Sequence, residues 1–290
     1  MTAPDLHDGR VLRDLLTAHG FRFSKSMGQN FLLDRDALER IADAAGLGPT
    51  AGVMEIGPGA GALTAELARR AGKVVSIELD RGLLPVLAET LGDFSNVEIV
   101  QGDALKLDLN ALAAEKLPGL TPVVCANLPY NITTAALEKL VQTPCLPRFT
   151  VLVQKEVAQR LAAAPGSRTG GAFSLYLHYY MEPELLFSVP RDLFLPAPKV
   201  DSAVLRCVRR ERPAVEVEDE AWFFRVVRGG FLLRRKTLAN SLSAALPELS
   251  REAVRSALGD CGLGLSVRGE ALTLEDWAAL SGALAAAREN

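Results

Sequence analysis

Residues 55–61 are Glu55-Ile56-Gly57-Pro58-Gly59-Ala60-Gly61, a glycine-rich stretch between an apolar strand-like run and a helical pattern that begins near Leu63. Glycine suits such a turn because a backbone without Cβ can bend sharply and bring its N–H groups close to a ligand. A close strand-to-helix crossing would use the same residues, and the stretch alone does not separate a nicotinamide site from an S-adenosylmethionine site.

Apolar runs of strand length alternate with helical patterns on both sides of this stretch. The alternation predicts a parallel α/β sheet. Together with the Gly-x-Gly-x-Gly spacing after the acidic Glu55, it resembles the Rossmann-like sheet of the class I methyltransferases. Two later runs, 184–189 and 202–208, follow one another without an intervening helix and predict an antiparallel end to the sheet. The five earlier predicted strands are 53–56, 74–77, 97–100, 123–126 and 149–153.

The two ends of the chain are predicted to be helical. Asp8 can cap a first helix that Gly20 ends, and Asp34 can cap a second one after a loop over 21–33. The run 210–213 has the composition of a linker. We therefore expect a catalytic domain over 1–209 and a small all-α domain over 210–290. The predicted helices of the latter are 220–231, 236–246, 251–258 and 275–288.

Composition excludes several classes of protein. With 290 residues, 49% hydrophobic content and 23% charged residues, the chain is typical of soluble globular proteins. The apolar runs are too short to span a membrane, and the four cysteines and three histidines show no metal-ligand spacing. We expect a metal-free cytoplasmic monomer. The net charge of -3 means that any contact with nucleic acid must use local basic patches.

Carboxylates end the two strands that follow the glycine-rich stretch. Glu78 is placed to accept hydrogen bonds from the ribose hydroxyls of an adenosine, and Asp103 to accept one from an adenine amino group. Each carboxylate alone would suit a solvated strand end. Because the carboxyl ends of parallel strands meet at one edge of the sheet, the three features together predict an S-adenosylmethionine site.

The predicted strand 123–126 is followed directly by Asn127-Leu128-Pro129-Tyr130. An adenine amino nitrogen is a poor nucleophile because its lone pair is delocalised into the ring, so acceptors must hold its hydrogens as it attacks a methyl group. Asn127 offers a side-chain oxygen, Leu128 a backbone carbonyl, and Tyr130 a ring on which a base can stack. Pro129 stiffens the turn. The segment predicts methylation of an exocyclic amino group on a base that has been flipped out of its stack.

Taken together, these motifs resemble the bacterial small-subunit (16S) ribosomal RNA adenine N6,N6-dimethyltransferases, a family related to the erythromycin-resistance methylases. The resemblance extends over nearly the whole chain and includes Ser26-Met27-Gly28-Gln29-Asn30-Phe31-Leu32, similar to a family segment that folds over the cofactor. It implies a lid over 21–33. The cofactor contacts that we predict are Gln29, Asn30, Leu32, Glu55, Gly57, Gly59, Gly61, Glu78, Leu79, Asp103, Ala104 and Asn127.

The segment that begins Phe194-Leu195-Pro196-Ala197-Pro198 resembles the family segment whose phenylalanine packs on the target adenine opposite Tyr130. The resemblance assigns that role to Phe194. Apart from the resemblance, a phenylalanine beside two prolines is more often a core residue. The loop 165–173 lacks the Tyr-Gly pair that the family pattern leads us to expect.

The stretch 231–242 is similar to the signature of the family's helical domain, and it carries a basic cluster. An exposed helix start would explain the cluster equally well without the resemblance. With it, we predict RNA contacts by Arg225, Arg228, Arg234, Arg235 and Lys236, with Arg209, Arg210 and Arg212 near them in sequence.

The resemblance implies dimethylation of N6 of two adjacent adenosines in the 3′-terminal hairpin loop of 16S ribosomal RNA within the small ribosomal subunit. Two alternatives remain: a large-subunit ribosomal RNA dimethylase of the resistance type, and an assembly or transcription factor that keeps the fold without the activity. Leu128 and the 231–242 signature favour the first function. The intact candidate site argues against a factor without activity. DNA-amino and glutamine methyltransferases more often carry proline where Leu128 stands.

Overall fold

The structure is a computed structural model that describes residues 4–23, 28–233 and 235–289. The chain forms two compact units, one of Met1–Ala158 with Glu184–Arg209 and one of Gln159–Pro183 with Arg210–Asn290. The first contains the glycine-rich stretch and the second is helical. The helical unit therefore takes in residues 159–183, which the sequence-based expectation assigned to the catalytic domain.

The described residues form one seven-stranded sheet in the order β4-β3-β2-β5-β6-β9-β7 and one two-stranded sheet of β1 and β8. The five strands β4, β3, β2, β5 and β6 run parallel to one another. Strand β9 pairs antiparallel with β6, with Gln154 opposite Ser202. This confirms the Rossmann-like sheet with an antiparallel end. The strands are β1 (Phe31–Leu32), β2 (Ala51–Ile56), β3 (Lys73–Glu78), β4 (Val97–Gln101), β5 (Thr121–Asn127), β6 (Arg148–Gln154), β7 (Met181–Val189), β8 (Phe194–Leu195) and β9 (Ser202–Arg209).

Helices connect the strands of the first unit and make up most of the second. In the first unit, α2 packs on α3 and on β6. The helices are α1 (Gly9–Ala18), α2 (Arg35–Ala44), α3 (Ala62–Ala68), α4 (Leu84–Thr90), α5 (Leu109–Lys116), α6 (Thr133–Val141), α7 (Lys155–Ala162), α8 (Ala172–Tyr180), α9 (Glu220–Gly230), α10 (Leu238–Ala245), α11 (Arg251–Asp260) and α12 (Leu274–Glu289).

Side-chain caps set the helix starts that the sequence predicts. The carboxylate of Asp8 accepts a hydrogen bond from the N–H of Arg10, and that of Asp34 accepts one from Ala37. Gly20 follows α1 with a φ of 68°, a left-handed conformation that glycine adopts at little cost. The predicted starts of both helices and the predicted end of the first at Gly20 are confirmed.

The predicted loop over 21–33 contains a strand that the sequence does not signal. Phe31 lies opposite Leu195 and Leu32 opposite Phe194 in the β1–β8 ladder. A two-residue strand is too short to show the alternation of apolar and polar residues by which strands are recognised.

The helical unit has its own apolar core. Trp222, Phe223 and Trp277 are buried in it, and α8 packs on α9. A Cβ at Gly230 would lie 2.2 Å from the Trp277 ring, so this position admits no side chain. No helix within the described part of the chain is long and apolar enough to cross a membrane.

Candidate active site

A single cavity opens at the carboxyl ends of β2, β3, β4 and β5. Of the predicted cofactor residues, all but Gly61 line it, as do Asn127, Leu128, Pro129 and Tyr130 of the predicted catalytic set. The convergence has a topological cause, because the loops after neighbouring parallel strands meet at one edge of a sheet. Residues predicted from five separate stretches of sequence thus line one cavity.

The glycine-rich loop after β2 needs glycine at three positions. Gly57, Gly59 and Gly61 have φ of 71°, 61° and 93°. A Cβ at Gly59 would lie 2.8 Å from the ring of Phe31, whereas at Gly57 the nearest atom would be at 3.6 Å. Gly61 does not reach the cavity and instead precedes α3 as its N-terminal cap.

Glu55 fixes the base of this loop. Its carboxylate accepts hydrogen bonds from the hydroxyls of Thr64 at 2.6 Å and Ser76 at 2.7 Å, which joins β2 to α3 and β3. Burial raises the pKa of Glu55 to about 7, the two hydroxyls oppose the rise, and the charge of Glu78 adds to it. Glu55 therefore fixes the start of the loop relative to α3 and β3, and Glu55 also lines the cavity.

Glu78 stands at the end of β3 and faces the cavity. Its carboxylate accepts the N–H of Asp80 at 2.7 Å, and burial raises its pKa to about 7. The carboxylate of Asp80 in turn accepts an N–H from the side chain of Gln29 at 2.9 Å. This bond ties the predicted lid to the loop after β3.

Asp103 lies after β4 in the same cavity. Its carboxylate accepts the N–H of Leu105 at 3.0 Å and lies 3.6 Å from the ammonium group of Lys106. Lys139, on α6, donates to the carbonyl oxygen of Leu105 at 2.8 Å. This hydrogen bond joins the loop after β4 to α6. Ala104, between these groups, is buried.

The lid also contacts the segment after β5. The side-chain amide of Asn127 donates to the carbonyl oxygen of Asn30 at 3.2 Å, and the side chain of Asn30 donates to the carbonyl oxygen of Gly28 at 3.1 Å. Leu32 is buried. Ser26 and Met27, which the predicted lid includes, lie outside the described residues.

The backbone of the Asn127–Tyr130 segment is held at both ends. The N–H of Leu128 donates to the carbonyl oxygen of Leu152 at 3.1 Å, and the carbonyl oxygen of Pro129 accepts the N–H of Ile132 at 3.2 Å. Tyr130 is half-buried, and its hydroxyl lies 2.5 Å from that of Ser202. Burial raises the pKa of Tyr130 above its ordinary value, although the bond to Ser202 opposes this.

The structure does not bring Phe194 to the cavity. Its side chain is 4% exposed and packs in the cluster that contains Leu32, Leu38 and Val189. This location fits the core residue that a phenylalanine beside prolines more often is. The stacking role stays a prediction.

One wall of the cavity comes from the N-terminal segment, and sequence reasoning did not assign it. Leu6 and Leu12 line the cavity, and α1 packs against α4 through a shared apolar cluster. The amphipathic spacing of α1 indicates a buried face. It does not indicate what that face covers.

The basic residues of the helical unit differ in their surroundings. Arg225 forms an ion pair with Glu248 at 2.7 Å and lies over the ring of Trp222. Arg228, Arg235 and Lys236 are exposed. Arg234 lies outside the described residues.

Two of the three neighbouring arginines in the sequence have structural contacts. Arg209 donates to backbone carbonyl oxygens at the end of α6, including that of Val141 at 2.8 Å. Arg210 donates to the carbonyl oxygen of His178 at 3.1 Å and pairs with Glu182 at 2.9 Å. We therefore leave Arg209 and Arg210 out of the basic surface proposed from sequence.

The hydrogen-bonding groups that line the cavity fit an adenosine-containing cofactor. The carboxylates of Glu78 and Asp103 line the cavity and can accept hydrogen bonds from hydroxyl or amino groups, and the glycine loop has backbone N–H groups without a Cβ beside them. Within the residues that the structure describes, no group of histidine, cysteine and acidic side chains could hold a metal ion.

Comparison with known proteins identifies relatives along most of the chain. Residues 20–280 match the family model described as "Ribosomal RNA adenine dimethylase". A "Ribosomal RNA small subunit methyltransferase A" from Geobacillus sp. (strain WCH70) is 48% identical over 277 residues, 94% of this chain and 95% of that protein. The protein of the same name from Streptococcus gordonii is 48% identical over 96% of this chain and 97% of its own.

Solved structures with similar folds include a 23S rRNA methyltransferase and a dimethyladenosine transferase. The crystal structure of the 23S rRNA methyltransferase ErmE superposes with a TM-score of 0.69 at 32% identity, and covers 88% of this chain and 99% of its own. A dimethyladenosine transferase from Plasmodium falciparum has a TM-score of 0.69 at 24% identity and covers 86% and 95%. The second likeness concerns the fold alone.

Proposed function

Because the chain belongs to the ribosomal RNA adenine dimethylase family, we propose that it dimethylates N6 of two adjacent adenosines in the 3′-terminal hairpin loop of 16S ribosomal RNA. The enzyme is an S-adenosylmethionine-dependent ribosomal RNA methyltransferase. The observation that carries the residue-level proposal is that the Asn127–Tyr130 segment lines the same cavity as the glycine loop, Glu78 and Asp103.

The cofactor would be held by groups from three strand ends and the lid. Glu78 would accept hydrogen bonds from the ribose hydroxyls and Asp103 one from the adenine amino group, each charge-assisted bond contributing about 1.5 to 3 kcal/mol. Gly57 and Gly59 would let the loop backbone approach the ligand. When bound, S-adenosylmethionine supplies a methyl group activated by the positive charge of its sulfur.

Asn127 and Leu128 would activate the target nitrogen. Since Asn127 donates to the carbonyl oxygen of Asn30, the oxygen of its amide can accept a hydrogen from the adenine amino group, and the carbonyl oxygen of Leu128 would accept the other. Holding both hydrogens out of the ring plane favours the tetrahedral nitrogen that attack requires. No strong base is needed, because the methylated ammonium is acidic and can lose its proton to water. The chain's contribution is position and exclusion of solvent.

Tyr130 would receive the flipped base on its ring. Unstacking an adenine costs a few kcal/mol, and stacking on an aromatic side chain returns about 1 to 3 kcal/mol. An adenine in a hairpin loop is already partly unstacked, so the net cost is lowest there. This favours loop adenines over those in a duplex.

Sequence similarity favours the small subunit over the large one. Relatives named for the small subunit share 48% of residues over 94% of this chain, whereas the large-subunit enzyme shares 32% over 88%.

In the helical unit, the exposed Arg228, Arg235 and Lys236 are candidates for phosphate contacts. We further propose that the enzyme acts as a monomer in the cytoplasm on small-subunit ribosomal RNA.

The test is methyl transfer from labelled cofactor to four acceptors in parallel: undermethylated small subunits, large subunits, naked ribosomal RNA and DNA. The proposal expects label in small subunits, on adenosines that digestion identifies as N6,N6-dimethyladenosine. Label in large subunits would assign the enzyme to the resistance type. Absence of transfer with retained binding to small subunits would assign a non-catalytic factor.

A further inference from the structure

Ser202 contacts the catalytic segment without lining the cavity. Its hydroxyl oxygen lies 2.5 Å from the hydroxyl oxygen of Tyr130, although the two residues are far apart in sequence. Ser202 is 0% exposed and is not among the residues that line the cavity. Substrate and cofactor in the cavity would therefore meet Tyr130 but not Ser202.

The sheet fixes the position of the Ser202 hydroxyl. Ser202 is the first residue of β9 and lies opposite Gln154 of β6. Just before it, the carbonyl oxygen of Asp201 accepts the N–H of Lys155 at 3.0 Å, and the carboxylate of Asp201 accepts the N–H of Arg191 at 3.2 Å. A group on such a ladder is held more precisely than one on a loop.

Tyr130 does not lie on a strand ladder, because it belongs to the turn between β5 and α6. Two side-chain torsions place its ring, and the anchored hydroxyl restricts both. The hydrogen bond to Ser202 holds the phenol oxygen of Tyr130 at one position, which restricts the direction from Cβ to that oxygen. The ring plane is fixed because the preferred hydrogen-bond directions of a phenol oxygen lie in that plane, whichever hydroxyl is the donor.

We propose that Ser202 is a positioning residue that holds the ring of Tyr130 in the orientation in which it receives the target adenine. The inference rests on the proposed function, since it concerns the same base. Ser202 acts only through Tyr130. Antiparallel pairing at the end of the sheet thereby supports the substrate side of the cavity.

The test compares Ser202→Ala, Tyr130→Phe and the double variant in single-turnover methyl transfer to undermethylated small subunits at saturating cofactor. Each single change removes the same hydrogen bond, and Tyr130→Phe keeps the ring. We expect each to slow transfer about 3- to 10-fold, the range of one net hydrogen bond, and the double variant to be no slower than the slower single variant. Cofactor affinity stays at the wild-type value. Ser202→Thr, which keeps a hydroxyl, restores at least half of the rate.

A matched control separates positioning from loss of a buried hydroxyl in general. Ser281, buried on α12 in the helical unit, donates to the carbonyl oxygen of Ala278, and Ser281→Ala should transfer at the wild-type rate. The inference is overturned if Ser202→Ala lowers only the melting temperature, or if the effects of Ser202→Ala and Tyr130→Phe multiply in the double variant. Failure of the wild-type enzyme to methylate small subunits would instead overturn the proposed function.

Discussion

The side-chain amide of Asn127 donates to the backbone carbonyl oxygen of Asn30 over 3.2 Å. A carbonyl oxygen can only accept, so this contact requires the amide nitrogen of Asn127 to face the lid and turns its oxygen away from it. Both residues line the cavity. The lid thus decides which atom of Asn127 is presented to an amino group.

Asn127→Ala should lower the single-turnover rate by about 100-fold or more, the scale on which preorganised polar groups act in active sites, while cofactor affinity changes little. Asn127→Asp should also be slow, because a carboxylate cannot donate to Asn30. Radiolabel transfer and calorimetry measure the two quantities. Asn110→Ala, on the exposed face of α5, is the matched control. Wild-type turnover in Asn127→Ala would refute the activation step.

Tyr130→Ala and Phe194→Ala should differ in what they damage. Phe194 is buried in the core, so its truncation should lower the free energy of unfolding by about 3–5 kcal/mol. The half-buried Tyr130 should cost less stability and more transfer to small subunits. Thermal melts and single-turnover rates measure these effects.

Phe194→Leu tests whether Phe194 also stacks on the adenine. Leucine keeps much of the apolar volume, so the fold should remain stable. A role in stacking requires slower transfer by this stable variant. Transfer at the wild-type rate would confine Phe194 to the core.

Gly59→Ala should weaken cofactor binding because the new Cβ would lie 2.8 Å from the ring of Phe31, which must then move into the cavity wall. Gly119→Ala is the control: Gly119 has a φ of 75° but no atom within 4 Å of a Cβ, so it reports the left-handed strain alone. That strain costs about 1–2 kcal/mol. Isothermal titration should show an affinity loss for Gly59→Ala only, and equal affinities would contradict the packing argument.

Stability should depend on pH through Glu55, whose pKa burial raises from 4.5 to about 7. Between these values the folded state binds more protons than the unfolded state, so the free energy of unfolding falls as pH rises through this window. Relative to Glu55→Gln, the wild type should lose on the order of 3 kcal/mol between pH 4 and about pH 8. Denaturant unfolding across pH measures the difference. A constant difference would mean that the pKa of Glu55 is the same in the folded and unfolded states.

Replacing Arg234, Arg235 and Lys236 with alanine should weaken binding to small subunits and flatten its salt dependence. The plot of log K against log salt has a negative slope, and each lost phosphate contact reduces its magnitude by about 0.7 to 0.9. Arg255→Ala is the control, since Arg255 is an exposed arginine of α11 that is not among the predicted RNA contacts. Filter binding over a range of salt concentrations measures both slopes. An unchanged slope in the triple variant would indicate an exposed helix start without RNA contacts.

The order of the elements and most of the polar residues that line the cavity follow from local patterns in the sequence. Helix caps such as Asp34, apolar runs and the glycine-rich stretch are local signals, because each depends on residues close together in the chain. Parallel topology then requires the loops after β2, β3, β4 and β5 to meet. Glu78, Asp103 and Asn127 are therefore assigned to one site by the sequence pattern alone.

The contacts between these residues and distant segments depend on tertiary packing. It placed Phe194 in the core, made α1 a wall of the cavity, joined Asn30 to Asn127 and set Ser202 against Tyr130. No local pattern encodes such contacts, since an apolar periodicity shows that a face is buried without showing what covers it. The partner of a side-chain hydroxyl or amide depends on distances set by the packing of the whole unit.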